Sequence, residues 1–307
     1  MDKSAPHRSA AAIPTAESAT QTAANLRGII LVIVGMGAFA LNDTLTKATS
    51  SELPIGQILV LRGLFGCILL LPIMAFTVKL MHIPRLWSFP MLIRSVSEVF
   101  AAILFFNALF RLPIASVTAI LQLLPLTLTA AAAILLKETV GWRRWSAAAV
   151  GFLGILLVIR PGSDGFSWWY LCAFCCVLFV TARDIAMRYV YGSIPSVLIT
   201  FITSFTVMLS GCVVGLFEVW VTPSLNAVCN LGAAAVLVLI GYYSLIECWR
   251  GVAISVVAPF RYSVVLWAMA FGYLMLGEIP NTWAIAGSAV VVAAGVYTLH
   301  REQVSNR

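Results

Sequence analysis

From Gly28 to His300 the chain is a succession of apolar runs, each about twenty residues long, separated by short polar breaks. Crossing a hydrocarbon layer of about 30 Å takes about twenty helical residues at roughly 1.5 Å each. The runs predict membrane-crossing helices at 28–47, 55–78, 88–110, 113–136, 143–160, 167–187, 195–217, 227–249, 252–276 and 281–300. The breaks carry helix-ending signals, among them Leu53-Pro54, Arg111-Leu112-Pro113, Pro161-Gly162-Ser163-Asp164-Gly165, Thr222-Pro223-Ser224 and Arg250-Gly251. Pro125 in the fourth run and Pro259 in the ninth each remove a backbone donor, which predicts kinks that free carbonyls toward a shared cavity. Residues 1–26 hold Pro6, Pro14 and many Ala, Ser and Thr but no apolar stretch. They read as a disordered tail rather than a secretory signal. Residues 301–307 form a second tail.

Composition sharpens this picture. Hydrophobic residues make up 61% of the 307 and charged residues 10%, against about 45–50% and about 25% in soluble domains. A water-soluble core cannot hide that much apolar surface, so an ordinary soluble enzyme is excluded. The fold class is all-α: a polytopic membrane protein of ten transmembrane helices. The net charge of +7 does not point to nucleic acid, because most Lys and Arg sit in the connections, where they set orientation. With the N-terminus cytoplasmic, twelve basic residues fall on the inner side and three (Lys47, Arg111, Arg160) on the outer side. Both termini are therefore expected inside. Eight of nine tryptophans lie near run ends, as interfacial rings should; Trp267 is the exception. The seven cysteines all lie within apolar runs, and Cys172-x-x-Cys175-Cys176 has no polar partner nearby. They read as small hydrophobes, with no metal and no cofactor expected.

The two halves resemble each other. Asn42-Asp43 and Arg183-Asp184 end the first and sixth runs, and Pro54 and Pro195 open the runs that follow. Arg111-Leu112-Pro113-Ile114-Ala115-Ser116-Val117 aligns with Arg250-Gly251-Val252-Ala253-Ile254-Ser255-Val256, and Glu138 with Glu278. The offsets stay between 139 and 141 residues. Five crossings per copy put the second copy in from the opposite face. Residues 28–160 and 167–300 are thus expected as two inverted five-helix repeats, a construction common in secondary transporters.

Eight charges remain inside the runs: Arg62, Arg94, Arg183, Arg261, Asp43, Glu98, Asp184 and Glu247. Each costs roughly 2.5–3.5 kcal/mol at mid-bilayer, so they should face the interior and pair. Arg94 and Glu98, four residues apart, can pair on one helix face. Arg183 and Asp184, being adjacent, are expected to point apart. Asp43 and Asp184 each have a cation four residues on, Lys47 and Arg188. Arg62 has no acid within reach on its own helix, and Arg261 lies beside Pro259. The expected substrate contacts are Arg62, Arg94, Glu98, Phe260, Arg261 and Tyr262, with Phe105, Phe106, Tyr242 and Tyr243 as neighbouring aromatics. Asp43, Asp184 and Glu247 are candidates for coupling or gating. Gly63-x-x-Gly66 and Gly211-x-x-x-Gly215 allow close helix approach. No G-x-x-x-x-G-K-[ST] or H-E-x-x-H occurs, and the three histidines lie in tails or a connection, so neither a P-loop pump nor a zincin is expected.

Several segments resemble the drug/metabolite transporter superfamily, specifically proteins with two EamA domains. They are Ala40-Leu41-Asn42-Asp43-Thr44-Leu45-Thr46-Lys47, Leu59-Val60-Leu61-Arg62-Gly63, Glu138, Gly277-Glu278, and Val257-Ala258-Pro259-Phe260-Arg261-Tyr262 followed by Leu266-Trp267-Ala268. The last is similar to the branch holding bacterial riboflavin importers and S-adenosylmethionine carriers. The resemblance implies an inner-membrane carrier with a central site between the repeats and a small-molecule substrate. Its leading reading is uptake of riboflavin or a similar flat heterocycle. S-adenosylmethionine, or export of amino acids or drug-like metabolites, is the alternative. A homodimer is left open.

Overall fold

A computed structural model describes residues 16–77, 88–135, 137, 142–159, 167–190, 194–248 and 257–305. Residues 1–15, the Lys79–Trp87 connection, Glu138, the Pro161–Gly165 connection and residues 249–256 lie outside the described residues. The described chain is helical throughout, with no strand among its residues. The helices are α1 (Ala16–Ala48), α2 (Ile55–Thr77), α3 (Phe89–Leu109), α4 (Ile114–Leu121), α5 (Leu124–Leu135), α6 (Trp142–Ile159), α7 (Trp169–Val190), α8 (Ser196–Gly215), α9 (Leu225–Glu247), α10 (Ser263–Leu276) and α11 (Thr282–Ser305), with 3-10 turns at Thr49–Ser51 and Ala258–Tyr262. Among the described residues, seven helical stretches are long and apolar enough to cross a membrane. Three more, Ala149–Ile159, Phe260–Leu276 and Thr282–Ala294, are apolar but shorter. The protein is a multi-pass membrane protein.

Both tails are more helical than expected. α1 starts at Ala16 and α11 runs on to Ser305. Nucleation is the costly step of helix formation, and each span has already met it, so Ala-rich and polar residues that favour helix simply extend the existing helix.

The break in the fourth run sits at Gln122-Leu123. The Gln122 and Leu123 amides reach only three residues back, to the Ala119 and Ile120 carbonyls at 3.1 and 3.0 Å, and Pro125 has no N–H to offer Leu121. The run becomes two helices, α4 and α5. The ninth run enters through the 3-10 turn around Pro259 before α10.

Helix pairs form the core: α2 with α8, α3 with α7, α6 with α11, α1 with α9 and α10, and α4 with α10. Glycines set the closest of these. Gly56, Gly63 and Gly66 on α2 meet α8, and Gly211 meets α2 in return; a Cβ on Gly63 would stand 2.6 Å from the Met208 Cβ and 2.7 Å from the Ser204 carbonyl. The main apolar core lies among α3 to α7 and α11, around Val117, Ile120, Leu123, Ile155, Val177 and Val291. Trp267 is interior because its indole N–H has a partner there. It donates to the Ile33 carbonyl of α1 at 3.1 Å, and the ring stacks on Phe271.

One end of the bundle, where α1 terminates, is tied by side chains that reach across the chain. Glu218 accepts the Gly56 amide at 2.7 Å, and Glu278 accepts the Ile114 amide at 2.7 Å. Gln57 exchanges two hydrogen bonds with the Val221 backbone, at 2.7 and 3.2 Å, and the Ser224 hydroxyl donates to Glu52 at 2.6 Å. Glu218 and Glu278 each satisfy an amide at a helix start that has no partner within its own helix.

Candidate functional site

A cavity of about 360 Å³ opens between α2, α3, α7, α8, α9 and the α4–α5 break. Its apolar walls come from Phe105, Phe106, Leu124, Val180, Val207 and Leu239, and its polar groups from Arg62, Glu98, Gln122, Arg183, Thr203, Ser204 and Tyr242. The helix break places Gln122 there, since a continuous helix would carry the chain past the cavity without the extra turn.

Arg62 sits two turns into α2. Its guanidinium carbon stands 5.0 Å from the centroid of Phe106, a cation–π contact. Its Nη1 is buried and has no hydrogen-bond partner. Asp43, Glu98 and Tyr242 are the groups that act on it electrostatically. Arg94 is 8% exposed; its Nη2 donates to Thr203 Oγ1 at 2.7 Å, while its Nη1 is also unpartnered.

The acids are held differently from the sequence expectation. Glu98 pairs with Arg183 of α7 at 3.1 Å rather than with Arg94. The i, i+4 spacing on α3 permitted the local pair, but tight packing of α3 on α7 offers a cation from the facing helix. Arg183 also bends back to its neighbour Asp184, Nε to Oδ1 at 2.8 Å. The expectation that adjacent residues point apart fails here because the long arginine side chain wraps round. Asp43 does not pair with Lys47. It accepts from the Asn42 amide at 2.8 Å, and Lys47 goes instead to Glu278 and the Leu112 carbonyl. Glu247, 9% exposed, pairs with Arg27 at 3.6 Å near the opposite end of the bundle.

The structure brings Arg62 and Glu98 into one cavity, with Arg94 behind Thr203 on its wall. It places Phe260, Arg261 and Tyr262 elsewhere. Phe260 and Tyr262 line a separate, largely apolar cavity of about 370 Å³ between α10 and α11, and Arg261 beside them is exposed. Among the polar cavity residues absent from the expected contacts are Arg183, Gln122 and Thr203. Arg183 was visible as an intramembrane charge and Gln122 as the residue preceding the Leu123-Leu124-Pro125 break, but nothing in the sequence marks Thr203. Among the described residues no group of three or more His, Cys, Asp or Glu is placed to hold a metal ion.

Residues 26–160 match the model of the EamA-like transporter family. The match covers most of the first half of the chain and makes that half similar to an EamA-like transporter domain. Relatives extend the likeness across both halves. The chain is 22% identical over 284 residues to an S-adenosylmethionine uptake transporter of Rickettsia prowazekii, covering 91% of this chain and 95% of the relative. It is 22% identical over 271 residues to a pseudopaline exporter of Pseudomonas aeruginosa, covering 87% and 94%. It is 23% identical over 292 residues to a riboflavin transporter of Vibrio cholerae, covering 92% and 96%. A solved crystal structure aligns with a TM-score of 0.61 at 20% identity, covering 87% of this chain and 97% of its own, a likeness of fold. The EamA-like match and these relatives identify a small-molecule transporter rather than an enzyme.

Proposed function

We propose that this EamA-like protein is a secondary carrier that takes up a metabolite bearing both a carboxylate and a flat ring, S-adenosylmethionine being the leading substrate. The observation that carries the reading is Arg62: an arginine on the cavity wall, with a buried Nη1 that lacks a partner and a guanidinium packed on Phe106. A substrate carboxylate would complete the arginine's hydrogen bonding, and the aromatic wall beside it suits a heterocycle. Glu98 and Asp184, both held by Arg183, give the same region negative charge for a cationic substrate group. Relatives named S-adenosylmethionine uptake transporters agree with such a ligand.

Uptake of riboflavin is the second reading. It is favoured by the Phe105–Phe106 edge-to-face pair and the neutral polar groups of Gln122 and Ser204 on the same wall.

The carrier mechanism is alternating access between two inverted repeats, residues 28–160 and 167–300, with ten crossings. Helix packing supports it. Exchanging the halves turns the α1–α9 contact into α7–α3, α1–α10 into the contacts of α7 with α4 and α5, and α2–α9 into α8–α3, all of which occur. The α2–α8, α4–α10 and α6–α11 contacts map onto themselves. A glutamate after α8 caps the start of α2, and one after α10 caps the start of α4, the same relation twice. The bias of basic residues puts both termini in the cytoplasm, and the membrane is read as a bacterial inner membrane. On that orientation the tied end is the outer one.

The test is uptake of radiolabelled S-adenosylmethionine and of riboflavin in cells lacking a native importer, with Arg62→Ala as the control. Uptake of S-adenosylmethionine above the empty vector, lost in R62A, supports the first reading, and uptake of riboflavin alone supports the second. Wild-type uptake no faster than the vector for both removes both substrates, and raised efflux in its place makes the protein an exporter.

A further inference from the structure

Asp43 occupies an unusual position among the acids of the spans. Glu98 and Asp184 are held by Arg183, and Glu247 by Arg27. Asp43 forms no ion pair among the described residues, and its hydrogen-bond partner is the neutral amide of Asn42. Lys47, one turn on, is committed to Glu278. Arg62 of α2 is the charged group that acts on Asp43 electrostatically, without an ion pair between them. From the other elements, Tyr242 of α9 and Glu98 of α3 act on Arg62. Tyr242 itself packs edge-on against Phe39, one turn before Asp43 on α1. α10 meets α1 through Trp267.

Asn42 fits both charge states of its neighbour. It is 2% exposed; its Nδ2 donates to Asp43 Oδ1, and its own Oδ1 is buried with no partner. An ionised Asp43 accepts from the amide N–H, as observed. A protonated Asp43 carries an O–H that needs an acceptor, and turning the Asn42 amide supplies one.

We propose that Asp43 is the coupling proton site of this carrier. The inference rests on the reading of Arg62 as the anchor for a substrate carboxylate. Without substrate, Asp43 is the distant counter-ion of Arg62. A substrate carboxylate arriving on Arg62 takes over that role, so that Asp43 loses the stabilisation of this cation and meets a second negative charge instead. The Asp43 carboxylate then takes one proton from the aqueous phase to which the cavity is open and becomes a neutral carboxylic acid. When the substrate leaves toward the other phase, Arg62 again faces Asp43 alone, and the proton departs to that phase. One proton thus moves with each substrate molecule, in the same direction.

The experiment uses the full chain in proteoliposomes with the membrane potential clamped at zero, and radiolabelled S-adenosylmethionine, which bears the required carboxylate, as the probe. Counterflow without any gradient tests transport itself. Accumulation driven by a pH difference tests coupling. The wild type is expected to show both, with accumulation approaching a limit of about tenfold per pH unit for one proton per substrate. Asp43→Asn is expected to keep counterflow, at a reduced rate, and to lose gradient-driven accumulation, which Asp43→Glu restores. Gradient-driven accumulation by D43N, or wild-type counterflow that ignores the gradient, overturns the inference while leaving the carrier reading intact. Absence of wild-type counterflow with this probe overturns the carboxylate-substrate reading and this inference with it. Should D43N fail to fold, titration calorimetry of the wild type in two buffers of different ionisation heat decides. Uptake of about one proton per bound probe is expected, and none overturns the proposal.

Discussion

Lys47 at the end of α1 and Glu278 beyond α10 form an ion pair at 2.5 Å, and the second carboxylate oxygen of Glu278 takes the Ile114 amide. Lys47 also donates to the Leu112 carbonyl. Three chain segments therefore meet on one glutamate. Gly277 makes the approach feasible, since its φ of +66° turns the chain out of α10 in the left-handed conformation that favours a residue without Cβ.

The side chains of this pair are 11% and 20% exposed, between the surface and buried limits. Removing one partner should cost about 2–4 kcal/mol, more than an exposed pair and less than a fully buried one. Glu278→Ala is expected to cost more than Lys47→Ala, because it also strips the Ile114 amide of its acceptor. The double variant should fall short of the sum of the two. Thermal unfolding in nanodiscs checks this, and full additivity would show that the pair is not coupled.

The α2–α8 contact depends on absent side chains. Gly63→Ala would drive a Cβ to within 2.7 Å of the Ser204 carbonyl, a backbone atom that cannot turn aside. The expected loss is about 1–3 kcal/mol from overpacking. Gly232 on α9 has nothing within 4 Å of its Cβ position, so Gly232→Ala should be neutral or stabilising by up to about 1 kcal/mol through helix propensity. Unfolding midpoints of the two variants, measured side by side, separate these expectations.

The helices and their glycine contacts could be read from the sequence because both depend on local pattern: apolar length fixes a span, and small residues at helical spacing fix a close face. The break at Gln122-Leu123 was equally visible, through Pro125. The choice of charge partners was not. Glu98 has Arg94 one turn away and yet binds Arg183, 85 residues distant, because the rotation of α3 against α7 decides which cation it meets. The same rotation and packing leave Phe260, Arg261 and Tyr262 on a different cavity from Arg62, although all of them looked like site residues by type and depth. Registers between distant helices are set by the sum of many contacts, and no short motif records them.

Topology gives a third prediction. The Glu52–Ser224 hydrogen bond and the Lys47–Glu278 pair put the connections at 49–54, 218–224 and 277–281 at one end of the bundle. Alkaline phosphatase fused after Glu52, Ser224 or Asn281 should be active, and fused after Ser305 inactive, if that end faces outward. Activity at Ser305 would reverse the orientation, and mixed results among the first three would contradict the packing.

Binding discriminates the two arginines most directly. Arg62 lines the central cavity with an unpartnered Nη1, whereas Arg261 is exposed beside the α10–α11 cavity. A hydrogen bond from a charged donor contributes about 1.5–3 kcal/mol, equivalent to roughly 10- to 150-fold in affinity. Arg62→Ala should therefore weaken binding of S-adenosylmethionine by at least about tenfold. Arg62→Lys should fall between R62A and wild type, because an ammonium keeps the charge but loses the paired donors of the guanidinium. Arg261→Ala should stay within about twofold. Titration of the labelled compound against detergent-purified protein measures all three. A tenfold loss in R261A alongside an unaffected R62A would move the binding site from the central cavity to the one between α10 and α11.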